Sequence, residues 1–193
     1  MLMARRELLP QSVIVRMVAV VSAHVLDALA ERKELPRDLA EDILKRAEER
    51  AYLDLSRQDA NPATLVERLE EMGRLTPNLA ARALAMGDLP FFEHAMASLS
   101  GLSAASVQTL AYDAGALGKR ELAHTIDASP KVTAFLEAGL SAYASIKAED
   151  GGIDVSRFRE RMVERVLSQF DDLTDELDIV DAEAILDRLG VAA

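Results

Sequence analysis

Three histidines, His24, His94 and His124, are where acid–base or metal chemistry would first be sought in this chain. His24 stands in the most apolar stretch, between Ala23 and Val25, where a hydrogen-bonded core or interface position is expected. His94 and His124, with Glu93 and Asp127 close in sequence, have the right types for a metal site. Yet no two histidines stand three or four residues apart, and no His-Glu-x-x-His occurs, so the helical ligand spacing is missing. Asp150-Gly151-Gly152-Ile153-Asp154 suggests a calcium loop but lacks the alternating oxygen ligands and the closing glutamate; a capped hinge accounts for it. Cysteine is absent, which removes disulfides, thiolate ligands and a thiol nucleophile. No phosphate-binding glycine loop or Gly-x-Ser-x-Gly turn is present, and the many acidic residues single out no general acid. No catalytic, cofactor-binding or metal-binding residue is assigned, and no cofactor is expected.

Surface chemistry is more informative. Arg157, Arg161 and Arg165 recur every four residues and line one helix face, with Glu160 and Glu164 beside them. They form either a solvated face or a docking strip for an acidic partner. Val13, Met17 and Val20 lie on a first helix apolar in nearly every direction, as expected of a helix buried centrally or paired with a second molecule. Phe91, Phe92, Met86, Met96 and Met162 read as core. The formal charge of −11 opposes approach to phosphate backbones, so nucleic acid is not an expected partner. The apolar run from Val13 to Ala30 is interrupted by Arg16, His24 and Asp27, so a bilayer span is not expected. A soluble, buried helix is.

The elements that would position these residues are punctuated by glycine. Gly73, Gly87, Gly101 and Gly115 recur every 14 residues, and glycine is the usual residue just past a helix C-terminus. Thr76, Asp88 and Ser103 follow closely as N-caps. Asn61-Pro62, Thr76-Pro77 and Ser129-Pro130 are cap-then-proline pairs, and no proline interrupts a periodic apolar run. A first helix is expected over 12–31. A second, over 36–56, is expected to bury Leu39, Ile43, Ala47 and Ala51 and to solvate Glu48 and Glu49. Short helices follow to residue 126, with Leu110 as core, then a longer one from Pro130 to Glu149. The fold class is all-α: about nine or ten helices as antiparallel hairpins in a repeat-like, HEAT- or solenoid-like array. Residues 1–150 form the hairpin array with its buried N-terminal helix, and residues 151–193 a C-terminal helical pair packed on the same domain.

Gly73-Arg74-Leu75-Thr76-Pro77, Arg82-Ala83-Leu84, Gly87-Asp88-Leu89-Pro90-Phe91-Phe92-Glu93, Ser100-Gly101-Leu102, Asp113-Ala114-Gly115 and Gly118 together resemble an uncharacterised helical family. It is known mainly from alphaproteobacteria and catalogued as a domain of unknown function, family 2336. Leu35-Pro36 and Arg161-Met162-Val163-Glu164-Arg165-Val166-Leu167 also resemble family positions. The resemblance implies an all-helical fold and the C-terminal portion of longer members, and supplies no reaction. Separately, Ala23-His24-Val25-Leu26 loosely resembles the phosphorylated histidine of helical phosphotransfer domains, from which Asp27 departs.

The functional expectation is a non-catalytic helical scaffold or protein–protein interaction module in the cytoplasm. Its partner would be another protein or a second copy meeting it through the first helix. The alternatives are a signalling regulator, including a phosphorelay role for His24, and an enzyme or metal-binding protein assembled from distant residues.

Overall fold

The structure, a computed structural model, describes residues 11–31, 36–58 and 61–150, and Arg161. Every described element is helical: α1 (Gln11–Glu31), α2 (Arg37–Gln58), α3 (Pro62–Glu71), α4 (Pro77–Ala85), α5 (Leu89–Ser100), α6 (Ala104–Gln108), α7 (Gly115–His124) and α8 (Pro130–Asp150). A single turn of π-helix, Thr109–Asp113, continues α6. The chain therefore has the all-α fold expected of it. Two compact units part between Leu75 and Thr76. The expected C-terminal helical pair of residues 151–193 lies outside the described residues, Arg161 excepted.

The turns form as the glycines and caps dictate. Gly73, Gly87, Gly101 and Gly115 all have left-handed φ, between 63° and 70°. After α3, Arg74 N–H donates to Leu69 C=O at 2.7 Å and Gly73 N–H to Glu70 C=O at 2.9 Å. The same pair of bonds recurs after α4, from Asp88 to Ala83 and from Gly87 to Leu84. This crossed pattern satisfies carbonyls that a helix end otherwise leaves without partners, and only a residue without Cβ enters it freely. Thr76 Oγ1 accepts from Leu79 N–H, Asp88 Oδ1 from Phe91 N–H and Ser103 Oγ from Ser106 N–H. Asn61 differs: its side chain makes no capping bond to α3, which Pro62 opens instead. Thr76→Ala is expected to cost about 1 kcal/mol in a urea titration, because it removes the acceptor from one of α4's first N–H groups.

In the first unit α1 packs on α2 and α3, around Val15, Ala40, Tyr52, Leu53, Leu65, Val66 and Leu69. Two expectations are corrected here. α1 is not buried on all sides: Val15 is fully enclosed, while Met17, Val20, Val21 and Val25 are exposed. α2 turns the opposite face inward from the one expected. Leu39, Ile43 and Ala47 are exposed, and Glu48, Glu49, Tyr52, Leu53 and Ser56 are buried. The reason is side-chain size. Tyr52 and Leu53 remove far more apolar surface from water than an alanine pair at 47 and 51, and of the two carboxylates carried inward with them Glu48 has a cation beside it. Arg74 Nη1 lies 3.3 Å from Glu48 Oε2.

The second unit is built on α4, where Leu79, Ala80, Ala81, Ala83 and Leu84 are all buried. Small alanines let α5 and α8 approach it closely. Phe91, Phe92, Ala95 and Met96 of α5 complete that core with Val107, Ala111, Leu122, Ala123, Leu136 and Leu140. Contact between α4 and α8 joins elements distant in the chain, which a linear stack of hairpins does not require. Leu110, expected in the core, is half-buried.

Gly118 sits where α7 meets the π turn. A Cβ there would collide with the Ala114 Cβ and stand 2.8 Å from the Leu110 carbonyl oxygen. Gly118→Ala is expected to destabilise by about 1–3 kcal/mol through overpacking. Calorimetry should show a lower Tm, while alanine at the exposed neighbour Arg120 changes little.

Candidate functional site

Two arrangements stand out, one polar and one apolar. The polar one centres on Glu93 of α5. Gln108 Nε2 donates to its Oε2 at 2.7 Å, and the Tyr112 hydroxyl donates to its Oε1 at 2.8 Å. The π turn carries Tyr112, whose ring lies 4.8 Å, centroid to centroid, from that of Tyr143 on α8, at a tilt of 45°. Burial raises the Tyr112 phenol above its ordinary range, reinforced by the bond to Glu93 and its charge. Tyr143 is raised by burial and then by Glu93. Charge-assisted bonds to both carboxylate oxygens make Glu93 a tie among α5, α6 and the π turn. Its proton acceptors are already engaged, which suits a structural clamp better than a general base.

A second polar group lies in the first unit. The Tyr52 hydroxyl and Ser56 Oγ, one turn apart on α2, are buried with no hydrogen-bond partner among the described residues. Burial and the nearby Glu48 charge push the Tyr52 phenol up to about 12, with Arg74 acting the other way. Lys119 on α7 is nearly buried, and desolvation lowers its pKa.

The histidines are not brought together. His24 is exposed on α1, which removes the core position from its two expected places and leaves the interface one; His94 is half-buried and His124 exposed. His124 Nε2 lies 3.8 Å from Glu137 Oε1. Glu93, considered beside His94 for a metal, is engaged by Gln108 and Tyr112 instead. Among the described residues no group of three or more histidines and carboxylates is placed to hold a metal ion. No described helix is long and apolar enough to cross a membrane.

The apolar arrangement is the outer face of α1. Of the expected partner-binding residues, Val13 is half-buried, Met17 is 46% exposed and Val20 66% exposed. Val21 at 57% and Val25 at 37% join them. Residues 17, 20, 21, 24, 25 and 28 follow helical spacing, so they share one stripe, and all six are exposed. Arg161 is helical and half-buried; Arg157 and Arg165 lie outside the described residues.

Among the described residues, eight helices in two units, with Gly87-Asp88-Leu89-Pro90 turning α4 into α5, make up an all-helical fold. The chain belongs to an uncharacterised protein family conserved in bacteria (DUF2336), whose model matches residues 1–174. That match takes in both units. Neither the curated proteins nor the solved structures compared with the chain gave a match.

Proposed function

We propose that this chain is a non-catalytic helical interaction module that presents the outer face of α1 to another protein. One observation supports this above the others. Seven large hydrophobic side chains are exposed among the described residues, and six of them (Met17, Val20, Val21, Val25, Leu39 and Ile43) belong to α1 and α2. Large side chains grouped in this way mark contact surfaces, whereas scattered ones need no explanation. The acidic balance of the chain argues for protein over nucleic acid, and the cytoplasm is the compartment proposed. A narrower membership, in alphaproteobacteria and as the C-terminal portion of longer relatives, belongs to the same proposal.

A photo-reactive residue at Val20 in the full chain tests it, with one at Glu67, an exposed polar position on α3, as control. A discrete adduct at position 20, lost with Val21→Glu and absent at position 67, is expected. No adduct at position 20 overturns the reading. The second reading, a phosphorelay regulator, draws on the exposure of His24. Incubation with a phosphorylated receiver should then label the wild type and not His24→Gln; an unlabelled wild type ends it.

A further inference from the structure

We infer that the occupant of the α1 face is α1 of a second copy, packed antiparallel, with Arg16 of each chain beside Asp27 of the other. The inference rests on the interaction reading above and names the partner. Its support is the charge pattern on the stripe. Arg16 and Asp27 are the only acidic or basic residues from Val13 to Ala28, His24 aside, and both are exposed. They are 11 residues apart, which is about three turns and about 16 Å along the helix, so both stand on the same flank.

The exposed stripe is symmetric about its own middle. Position 17 mirrors 28, 20 mirrors 25, and 21 mirrors 24, with the centre between Ser22 and Ala23. A two-fold axis passing beside α1 at that level, perpendicular to the helix and between the two copies, keeps each flank on its own side and reverses the chain direction. It sets Met17 against Ala28, Val20 against Val25 and Val21 against His24 of the second copy. It also brings Asp27 of one chain to within about two residues, or about 3 Å of axial rise, of Arg16 of the other, within reach of a long side chain. A parallel pairing sets Arg16 level with Arg16 and leaves both charges unmatched. Isologous contacts of this kind use one patch twice. The stripe is locally neutral in a chain of net charge −11, so self-association here avoids the repulsion that the rest of the surface creates.

The chain has no cysteine, which makes disulfide trapping of the full-length protein a clean test. Val21→Cys stands about 4.5 Å in axial rise from its own copy, and oxidation should give mostly covalent dimer. Met17→Cys stands about 16 Å from its own copy, beyond disulfide reach, and should stay monomeric alone. Mixed with Ala28→Cys chains, it should form the crossed dimer. By sedimentation equilibrium, Arg16→Glu should weaken association roughly tenfold, and adding Asp27→Arg in the same chain should restore it. Self-linking of Met17→Cys as readily as Val21→Cys overturns the antiparallel arrangement. A wild type that is monomeric at every concentration overturns the second copy. In that event a position-20 photo-adduct to a different protein leaves the interaction module standing. No adduct, or one to residues 151–193 of the same chain, removes both.

Discussion

Truncating Phe92 to alanine is expected to lower the free energy of unfolding by about 3–5 kcal/mol. Phe92 and its neighbour Phe91 are fully enclosed on α5, and the chain has only five phenylalanines and no tryptophan. Loss of one ring therefore removes a large share of the bulky apolar surface available to the second unit. Much of the core that α4 and α5 contribute is short: Ala80, Ala81, Ala83 and Ala95 are buried there. Alanines have no side-chain freedom with which to collapse into a cavity, so most of the void should persist. Met96 on α5, with Leu79 and Leu84 on α4, supplies the longer buried side chains there, and their repacking sets the lower bound of the range. Urea titration followed by helical circular dichroism measures the loss. A cost under about 1 kcal/mol would mean that the α4–α5 packing is not what holds the unit. Leu110→Ala, at a half-buried site, is the internal comparison and should cost clearly less.

The turns were legible in the sequence because the physics that makes them is local. A glycine at φ near 70° and a hydroxyl or carboxylate three residues from the N–H it caps involve only adjacent chain, so Gly73, Gly87, Gly101, Thr76, Asp88 and Ser103 could be read directly. Gly115 fits the same rhythm for a different reason. It follows the π turn, where Ala114 N–H bonds Thr109 C=O, and α7 begins at once without a capping side chain. Nothing in the composition of residues 109–113 distinguishes an i→i−5 bond from an i→i−4 bond, so that turn was not legible.

Which face of a helix goes inward is not local information. Leu39, Ile43, Ala47 and Ala51 make a regular apolar line, but α2 also offers Tyr52 and Leu53 on another side. The choice depends on what α1 and α3 present and on Arg74 being at hand for Glu48. Likewise α1 is apolar all round, a pattern equally consistent with burial and with an uncovered surface; only the packing of the first unit separates the two. The Glu93 clamp was missed for a related reason. Its partners lie 15 and 19 residues away, and a glutamate beside a histidine drew attention to metal chemistry instead of to the tyrosine two helices later. The faint signal available was the pairing of a lone acid among Phe91, Phe92 and Ala95 with Tyr112, since an acid in apolar company generally has a donor waiting for it.

The tyrosines supply the second large effect, a loss of stability in alkali. The chain has three tyrosines, Tyr52, Tyr112 and Tyr143, and all three phenols are raised in the folded protein, each chiefly by burial. Tyr52 moves from 10.0 to about 12. Between these values the native state keeps a proton that the unfolded chain gives up, so the unfolded state binds fewer protons and stability falls as pH rises. The contribution is fully present below pH 10 and is lost as pH climbs toward 12. Two pKa units correspond to roughly 3 kcal/mol for Tyr52 alone, and Tyr112 adds to it in the same direction because its ionisation also breaks the bond to Glu93. With no tryptophan in the chain, phenolate absorbance in the near ultraviolet reports these three residues cleanly. It should lag behind that of free tyrosine, which is half ionised near pH 10, and then rise in step with the loss of helical circular dichroism. Tyr112→Phe removes one phenolate from the final amplitude and one titrating group from the transition, so its stability should fall less steeply with pH above 10. Three phenols ionising near pH 10 while the helices remain intact would show that these rings are solvated and that the Glu93 clamp does not form.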